Sequence, residues 1–203
     1  MITIPNTLKP DFTPEEVRTI CDKFQAGHIV DGEKIRCMED YKLLTSAKLD
    51  GLKGDLFLFT WMHFRNASFR KSILERTNFS YGQILFCDFY KARILGANMC
   101  RASIHKANFR WASMKCANMT QIDDFGSDYT RADLSLAILE YATLRNVNFR
   151  YADLRCVDFS RARLYGVDFR GANIDGAKFE HAIIKDCIFD DDQKEALKGA
   201  IIK

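Results

Sequence analysis

From residue 59 to residue 189 a large apolar side chain recurs every five positions, running Phe59, Phe64, Phe69, Leu74, Phe79 and onward to Phe179, Ile184 and Phe189. Of the 27 positions in this series only Asp124 is neither apolar nor aromatic. The position two before each is Ala in 15 cases and small (Ala, Ser, Thr, Gly or Cys) in 21, and the position one before is Asn or Asp in 13. Helices repeat at 3.6 residues and strands at 2, so neither element alone produces a period of five. With 47% hydrophobic residues overall, a chance series of this quality falls below about one in a million. Two side chains per five point inward, one large and one small. The chain must therefore turn between units and wind around its own narrow core, where two large layers would overpack.

The unit A-(N/D)-(L/F)-x-x, seen in "ANFRWASMKCANM" over residues 107–119, resembles that of the pentapeptide-repeat proteins. The resemblance covers about two thirds of the chain. It implies an all-β solenoid, a right-handed quadrilateral parallel β-helix with four units per turn. Coils stacked about 4.8 Å apart would give nearly seven turns and a rod of about 30 Å. Four units per turn place residues 20 apart in one column, and this is visible in the chain. Phe69, Phe89, Phe109, Tyr129, Phe149, Phe169 and Phe189 form a column that is aromatic throughout, whereas the columns on either side have no aromatic after Phe64. Stacked rings add offset contacts to area burial. The outward Asn and Asp residues are expected to bond nearby backbone at the corners. Gly96, Gly126, Gly166, Gly171 and Gly176 fall at the last position of a unit, where a corner would use positive φ.

One segment departs from the pattern. "TQIDDFGSDYT", residues 120–130, sets Asp124 at a core position and bulky Ile122 where Ala is the rule. An unpaired buried carboxylate costs several kcal/mol, so the expectation is a local bulge that exposes Asp123, Asp124 and Phe125 while Ile122 or Phe125 fills the gap. The aromatic column resumes in register at Tyr129, so the segment still spans one side of the coil.

The ends read as caps. Residues 1–46 predict an N-terminal cap, with an amphipathic helix over 13–26 opened by Thr13, Pro14 and Glu16 and stopped by Gly27, then a possible hairpin at Asp31-Gly32. Residues 47–189 form the repeat domain. Residues 190–203 predict a C-terminal helix, with acidic 190–192 at its start and Ala196, Leu197, Ala200 and Ile201 as its apolar face. In relatives such a helix caps the rod or joins two rods, so both a monomer and a homodimer through a β-helix end are open.

Composition changes the picture mainly by exclusion. No apolar run approaches the 20 or so residues of a membrane span, and the start lacks the basic stretch and apolar core of a secretory signal, so a cytoplasmic location is expected and membrane association is not. Export without a cleaved signal stays open. Seven cysteines without a C-x-x-C spacing and four scattered histidines indicate neither a disulfide framework nor a metal site. A filled rod offers no pocket of converging groups, and no phosphate loop or nucleophile motif is present, so no catalytic residue and no cofactor is assigned and the protein is read as a non-enzyme. Cys87 and Cys187 sit at small inward positions and are read as structural.

Charge is the informative property. Residues 59–189 carry 19 basic and 13 acidic side chains within a chain of net charge +3. Outside the aromatic column stand Arg70, Tyr90, Arg110, Arg150 and Arg170, and next to them Lys71, Lys91, Trp111, Arg131 and Tyr151. A basic stripe interleaved with aromatics grips anionic partners. Asp88, Asp128 and Asp168 on the same side can equally neutralise it as a solvated face. A weaker analogue, Arg65, His105, Phe125, Arg145, Tyr165 and Lys185, lies on the next side. The leading expectation is a scaffold, bacterial in style, that presents the stripe to an unidentified protein, with nucleic acid less favoured. The resemblance implies two alternatives. Some relatives imitate duplex DNA and act on type II topoisomerases such as gyrase, which requires ordered negative charge, opposite in sign to this rod. Others are secreted effectors or targeting domains.

Overall fold

The computed structural model describes residues 44–45 and 48–203. The N-terminal cap, with its helix over 13–26 and its hairpin at Asp31-Gly32, lies outside the described residues apart from Leu44–Thr45. The chain forms a parallel β-solenoid of about seven turns. On the first side strands β1 (Leu44–Thr45), β3 (His63–Arg65), β5 (Gln83–Leu85), β6 (Ser103–His105), β7 (Asp123–Phe125), β8 (Thr143–Arg145), β9 (Arg163–Tyr165) and β10 (Ile183–Lys185) pair in that order. The remaining two named strands before residue 190, β2 (Lys53–Asp55) and β4 (Ile73–Glu75), pair on the third side. The second and fourth sides are joined by single bridges such as Asp88↔Asn108 and Asn98↔Asn118. Register is 20 residues from β1 to β10, as in Ile84↔Ile104 and Leu144↔Leu164.

Strands are short because a corner interrupts every fifth residue. The corner residue has positive φ at each step from Gly51 to Asp186, glycine or not: Leu56, Trp61, Lys71, Phe86 and Trp111 all adopt φ between 56° and 64°. Gly96, Gly126, Gly166, Gly171 and Gly176 match the expected corner use, but the conformation belongs to the position and not to glycine. Asx side chains hold the corners. With the exception of Asp123, each Asn or Asp that precedes a core residue between 78 and 173 accepts the backbone N–H two residues on, as Asn98 does from Cys100 at 3.1 Å and Asp168 from Arg170 at 3.1 Å.

The core is the predicted one. The aromatic column is a continuous pile, with ring centroids 4.6 Å apart for Phe69 and Phe89, 4.8 Å for Phe89 and Phe109, 4.8 Å for Phe109 and Tyr129, and 4.6 Å for Phe169 and Phe189. The solenoid begins before Phe59, because Leu44 pairs with Phe64 and Leu49 and Leu52 are buried. The periodic signal fades there for a physical reason. Gly54 occupies a core position, and the ring of Phe57, from the adjoining small position, fills the space so closely that a Cβ on Gly54 would lie 2.5 Å from it.

Two expectations are corrected. The segment at Asp124 is not a bulge: β7 pairs in register with β6 and β8, and Asp124 points inward with 0% exposure. Ile122 is buried as expected, while Asp123 and Phe125 are exposed. Volume explains the arrangement, since a large residue at the small position and a small one at the large position fill the same space. At the C-terminus, the predicted helix over 190–203 is a 3-10 helix, Asp191–Leu197, followed by strand β11 (Ile201–Ile202), which pairs in parallel with β10. Gly199 at φ 85° turns the chain, and the β-branched pair takes the backbone partners left open by β10. Ala196, Leu197 and Ala200 pack on the core, whereas Ile201 is exposed. No helix among the described residues is long and apolar enough to cross a membrane.

Candidate interaction face

The second side of the rod brings the predicted stripe together. Arg70, Tyr90, Arg110, Thr130, Arg150 and Arg170 form one outward column, and Lys71, Lys91, Trp111, Arg131 and Tyr151 form the corner column beside it. Because successive coils superpose, each side chain lies over its neighbour 20 residues away. The guanidinium of Arg131 is held between two rings, 4.8 Å from the centre of Trp111 and 5.7 Å from that of Tyr151. Arg150 lies 5.6 Å from the Tyr151 ring, and Tyr90 receives Arg70 at 5.0 Å and Lys91 at 5.2 Å. Tyr151 can lie flat because the next corner is Gly171, where a Cβ would come within 2.4 Å of the ring.

Neutralisation is partial. Arg70 pairs with Asp88 at 3.0 Å, Arg110 with Asp128 at 3.8 Å and Arg170 with Asp168 at 2.6 Å. The Arg170 guanidinium holds the Asp168 carboxyl below the usual carboxylate range. Among the described residues Lys71, Lys91, Arg131 and Arg150 form no ion pair. The sequence anticipated the neutralising aspartates. Arg131 goes to the rings instead.

Away from the stripe, the interior carries one polar pair. The Tyr129 hydroxyl donates to Asp124 Oδ2 at 2.8 Å, while Asp124 Oδ1 has no hydrogen-bond partner. Burial pushes the Asp124 carboxyl up to about 7, partly offset by polar groups of Ser127 and by the Tyr129 hydroxyl. Burial raises the Tyr129 phenol as well, helped by the adjacent carboxyl. This pair was missed from sequence although a signal existed: the only hydroxylated ring of the aromatic column stands one unit after the only acidic core position. Cys87 is buried and its thiol donates to the Leu85 carbonyl at 3.5 Å; burial pushes it up to about 12, which removes its nucleophilic form at neutral pH. No group of three or more His, Cys, Asp or Glu side chains among the described residues is placed to hold a metal ion.

The family model described as pentapeptide repeats matches residues 86–121, 127–164 and 152–191, in 8 copies. The chain is a pentapeptide-repeat protein. The match to the pentapeptide repeats skips 122–126, the five residues around Asp124. Among solved structures, a trypsin-treated form of QnrB1, a plasmid-mediated fluoroquinolone resistance protein, is 19% identical with a TM-score of 0.52, covering 79% of this chain and 90% of that one. Full-length QnrB1 is 15% identical with a TM-score of 0.50, covering 74% and 92%. A pentapeptide repeat protein, Rfr23, from the cyanobacterium Cyanothece 51142 is 15% identical with a TM-score of 0.19, covering 78% and 90%. At these identities the similarity is one of fold. No curated protein matches the chain.

Proposed function

We propose that this pentapeptide-repeat rod is a non-enzymatic interaction module that presents its basic, aromatic-interleaved side to a partner protein. The observation that carries the reading is the set of four cations, Lys71, Lys91, Arg131 and Arg150, that have no carboxylate partner among the described residues, three of which, Lys91, Arg131 and Arg150, lie against rings. Arg101 and Arg161 on the fourth side also lie against rings without an ion pair among the described residues, so it is the net positive charge that sets the second side apart. Tyr, Trp and Arg are also the residue types that dominate binding energy at protein interfaces. The test is a comparison of proteins retained by the intact chain and by a variant with Arg110, Trp111, Arg150 and Tyr151 all changed to Ala. Loss of specific proteins with the variant supports the reading, and identical sets overturn it. A role like that in the printed name of QnrB1 draws support from the shared fold only, and the basic rod runs against any imitation of closely spaced phosphates. A supercoiling assay with gyrase and a fluoroquinolone is expected to show neither inhibition nor protection.

A further inference from the structure

The excess positive charge is confined to two adjacent sides of the rod. On the first side Arg65, Lys106, Arg145, Arg163 and Lys185 stand outward against only two exposed carboxylates, Asp123 and Asp186. On the second side, between residues 59 and 189, the seven cations of the stripe meet Asp88, Asp128 and Asp168, with Asp50 and Asp190 at the two ends of the Arg70 column. The third side is balanced, with Arg76, Arg93, Lys115 and Arg155 against Glu75, Asp133, Asp153 and Asp175. So is the fourth, with Arg101, Arg161 and Lys178 against Glu140, Asp158 and Glu180. Ion pairs engage the smallest share of the cations on the first side and larger shares on the other three. On the balanced sides Arg93 pairs with Glu75, Arg155 with Asp153 and Lys178 with Asp158, while Arg101, Lys115 and Arg161 form no ion pair among the described residues and are offset by net charge alone. On the first side only Arg145 is paired, with Asp123. Arg65, Lys106, Arg163 and Lys185 form no ion pair among the described residues.

The first and second sides meet at the corner that carries Phe86 and Lys106. His105 makes ring contacts with Phe86 at 5.3 Å and with Phe125 at 5.0 Å, and His105 and Phe125 line a shallow depression of about 360 Å³ on the first side. The two sides that flank this edge thus carry eight unpaired cations: Lys106 stands on the edge, Arg65, Arg163 and Lys185 on the first side, Arg150 on the second, and Lys71, Lys91 and Arg131 along the second side's far corner. The form of this edge selects the partner. On the second side Arg131 lies against both Trp111 and Tyr151, which stay 44% and 52% exposed. Nucleic acid gripped through stacking needs ring faces set in a groove, and a convex corner between flat walls supplies no groove. The guanidinium of Arg131, with both faces covered, offers its N–H edge, which matches the two oxygens of a carboxylate.

We infer that the docking surface is this whole corner, spanning the first and second sides, and that its partner is an acidic protein with a cleft that seats it. The inference rests on the proposed interaction role and adds the second wall and the chemistry of the partner. The test uses labelled poly-L-glutamate and a thymidine oligonucleotide of equal charge as defined probes, with binding read by fluorescence anisotropy. Three variants are compared: Arg65, Lys106, Arg163 and Lys185 changed to Glu; Lys71, Lys91, Arg131 and Arg150 changed to Glu; and Arg101, Lys115, Arg161 and Lys178 changed to Glu as a control with the same change in net charge. Each of the first two is expected to weaken poly-L-glutamate binding at least about tenfold more than the control, and the oligonucleotide is expected to bind more weakly than the peptide. If the first variant behaves as the control while the second loses binding, the corner is refuted and the single-stripe function stands. Equal effects of all three refute both. Tighter binding of the oligonucleotide overturns the protein partner. Thermal melts of each variant, with Gln in place of Glu where a melt is lost, keep misfolding separate from lost binding.

Discussion

The exchange of volumes at Ile122 and Asp124 ties one unit of the coil to the ionisation of a single carboxyl. Asp124 is pushed up to about 7 in the folded chain, while its ordinary value in an unfolded chain lies near 4. Between these values the folded state holds more protons than the unfolded state, so stability falls as pH rises from about 4 to about 7 and is level above. The loss across that window is on the order of a few kcal/mol. A triple variant, Ile122→Ala, Asp124→Leu and Tyr129→Phe, restores the regular unit without leaving a lone hydroxyl. It is expected to melt higher than the natural chain at pH 8 and to lose this part of the pH dependence, which circular dichroism melts at pH 5 and pH 8 would measure. Replacing Asp124 alone is a poorer probe, because Leu beside Ile122 overpacks the turn. At the same scale, Arg131→Lys keeps the charge but loses the planar group between Trp111 and Tyr151, and it is expected to weaken poly-L-glutamate binding several-fold at unchanged net charge.

Elements in this protein are corners and ends as much as strands. Gly171 shows why one corner tolerates no side chain: its φ is +68° and the Tyr151 ring lies where a Cβ would go. Gly171→Ala is expected to lower stability by about 1–2 kcal/mol in chemical denaturation and to lift Tyr151 away from Arg131. At the C-terminal end Gln193 closes the last turn. Its amide donates to the Phe169 carbonyl at 2.9 Å and the Ala172 carbonyl at 2.8 Å, and its carbonyl accepts the Asp190 N–H at 2.8 Å. Gln193→Ala leaves these groups unpaired, so amide exchange at Ile201 and Lys203, which bond to Ala182 and Ile184, is expected to accelerate while the middle coils keep their protection. The terminal element was only half legible beforehand. Acidic residues at 190–192 announced a helix start, but the apolar spacing of Ala196, Leu197, Ala200 and Ile201 suits a helix face, and only the open backbone of β10 draws Ile201 and Ile202 into a strand.

For the whole molecule, repetition made the fold readable and the site hard to read. A large residue every fifth position and rings every twentieth specify coil, register and core, since each inward side chain is tested against identical neighbours. Asp124 defeated the same reasoning because its partner, Tyr129, is hidden among residues that look purely apolar in pattern. The stripe could be named residue by residue, yet which cations are neutralised depends on side-chain reach across coils: Arg170 bends to Asp168, while Arg131 lies between rings. The balance of the third and fourth sides appears only once the corners assign each charge to a wall. Repetition also predicts how the rod responds to deletion. Removing residues 141–160 takes out one full turn and keeps every column aligned, so the shortened chain is expected to fold cooperatively with a lower melting temperature. Removing only 141–145 rotates all later columns by one side and breaks the aromatic pile after Tyr129, so it is expected to destabilise the chain more.

The 20-residue register that holds from β1 to β10 has a kinetic side. Bonds between coils, from Leu49 to Ser68 at one end to Ile183 and Ala162 near the other, all join partners about one turn apart in the chain. Loop closure is thus the same short search at every step, and its cost does not grow as the rod lengthens. Assembly can start at any well-packed pair of turns and proceed like a zip fastener in both directions, so that the time needed to fold is governed by the first two turns rather than by the size of the finished molecule.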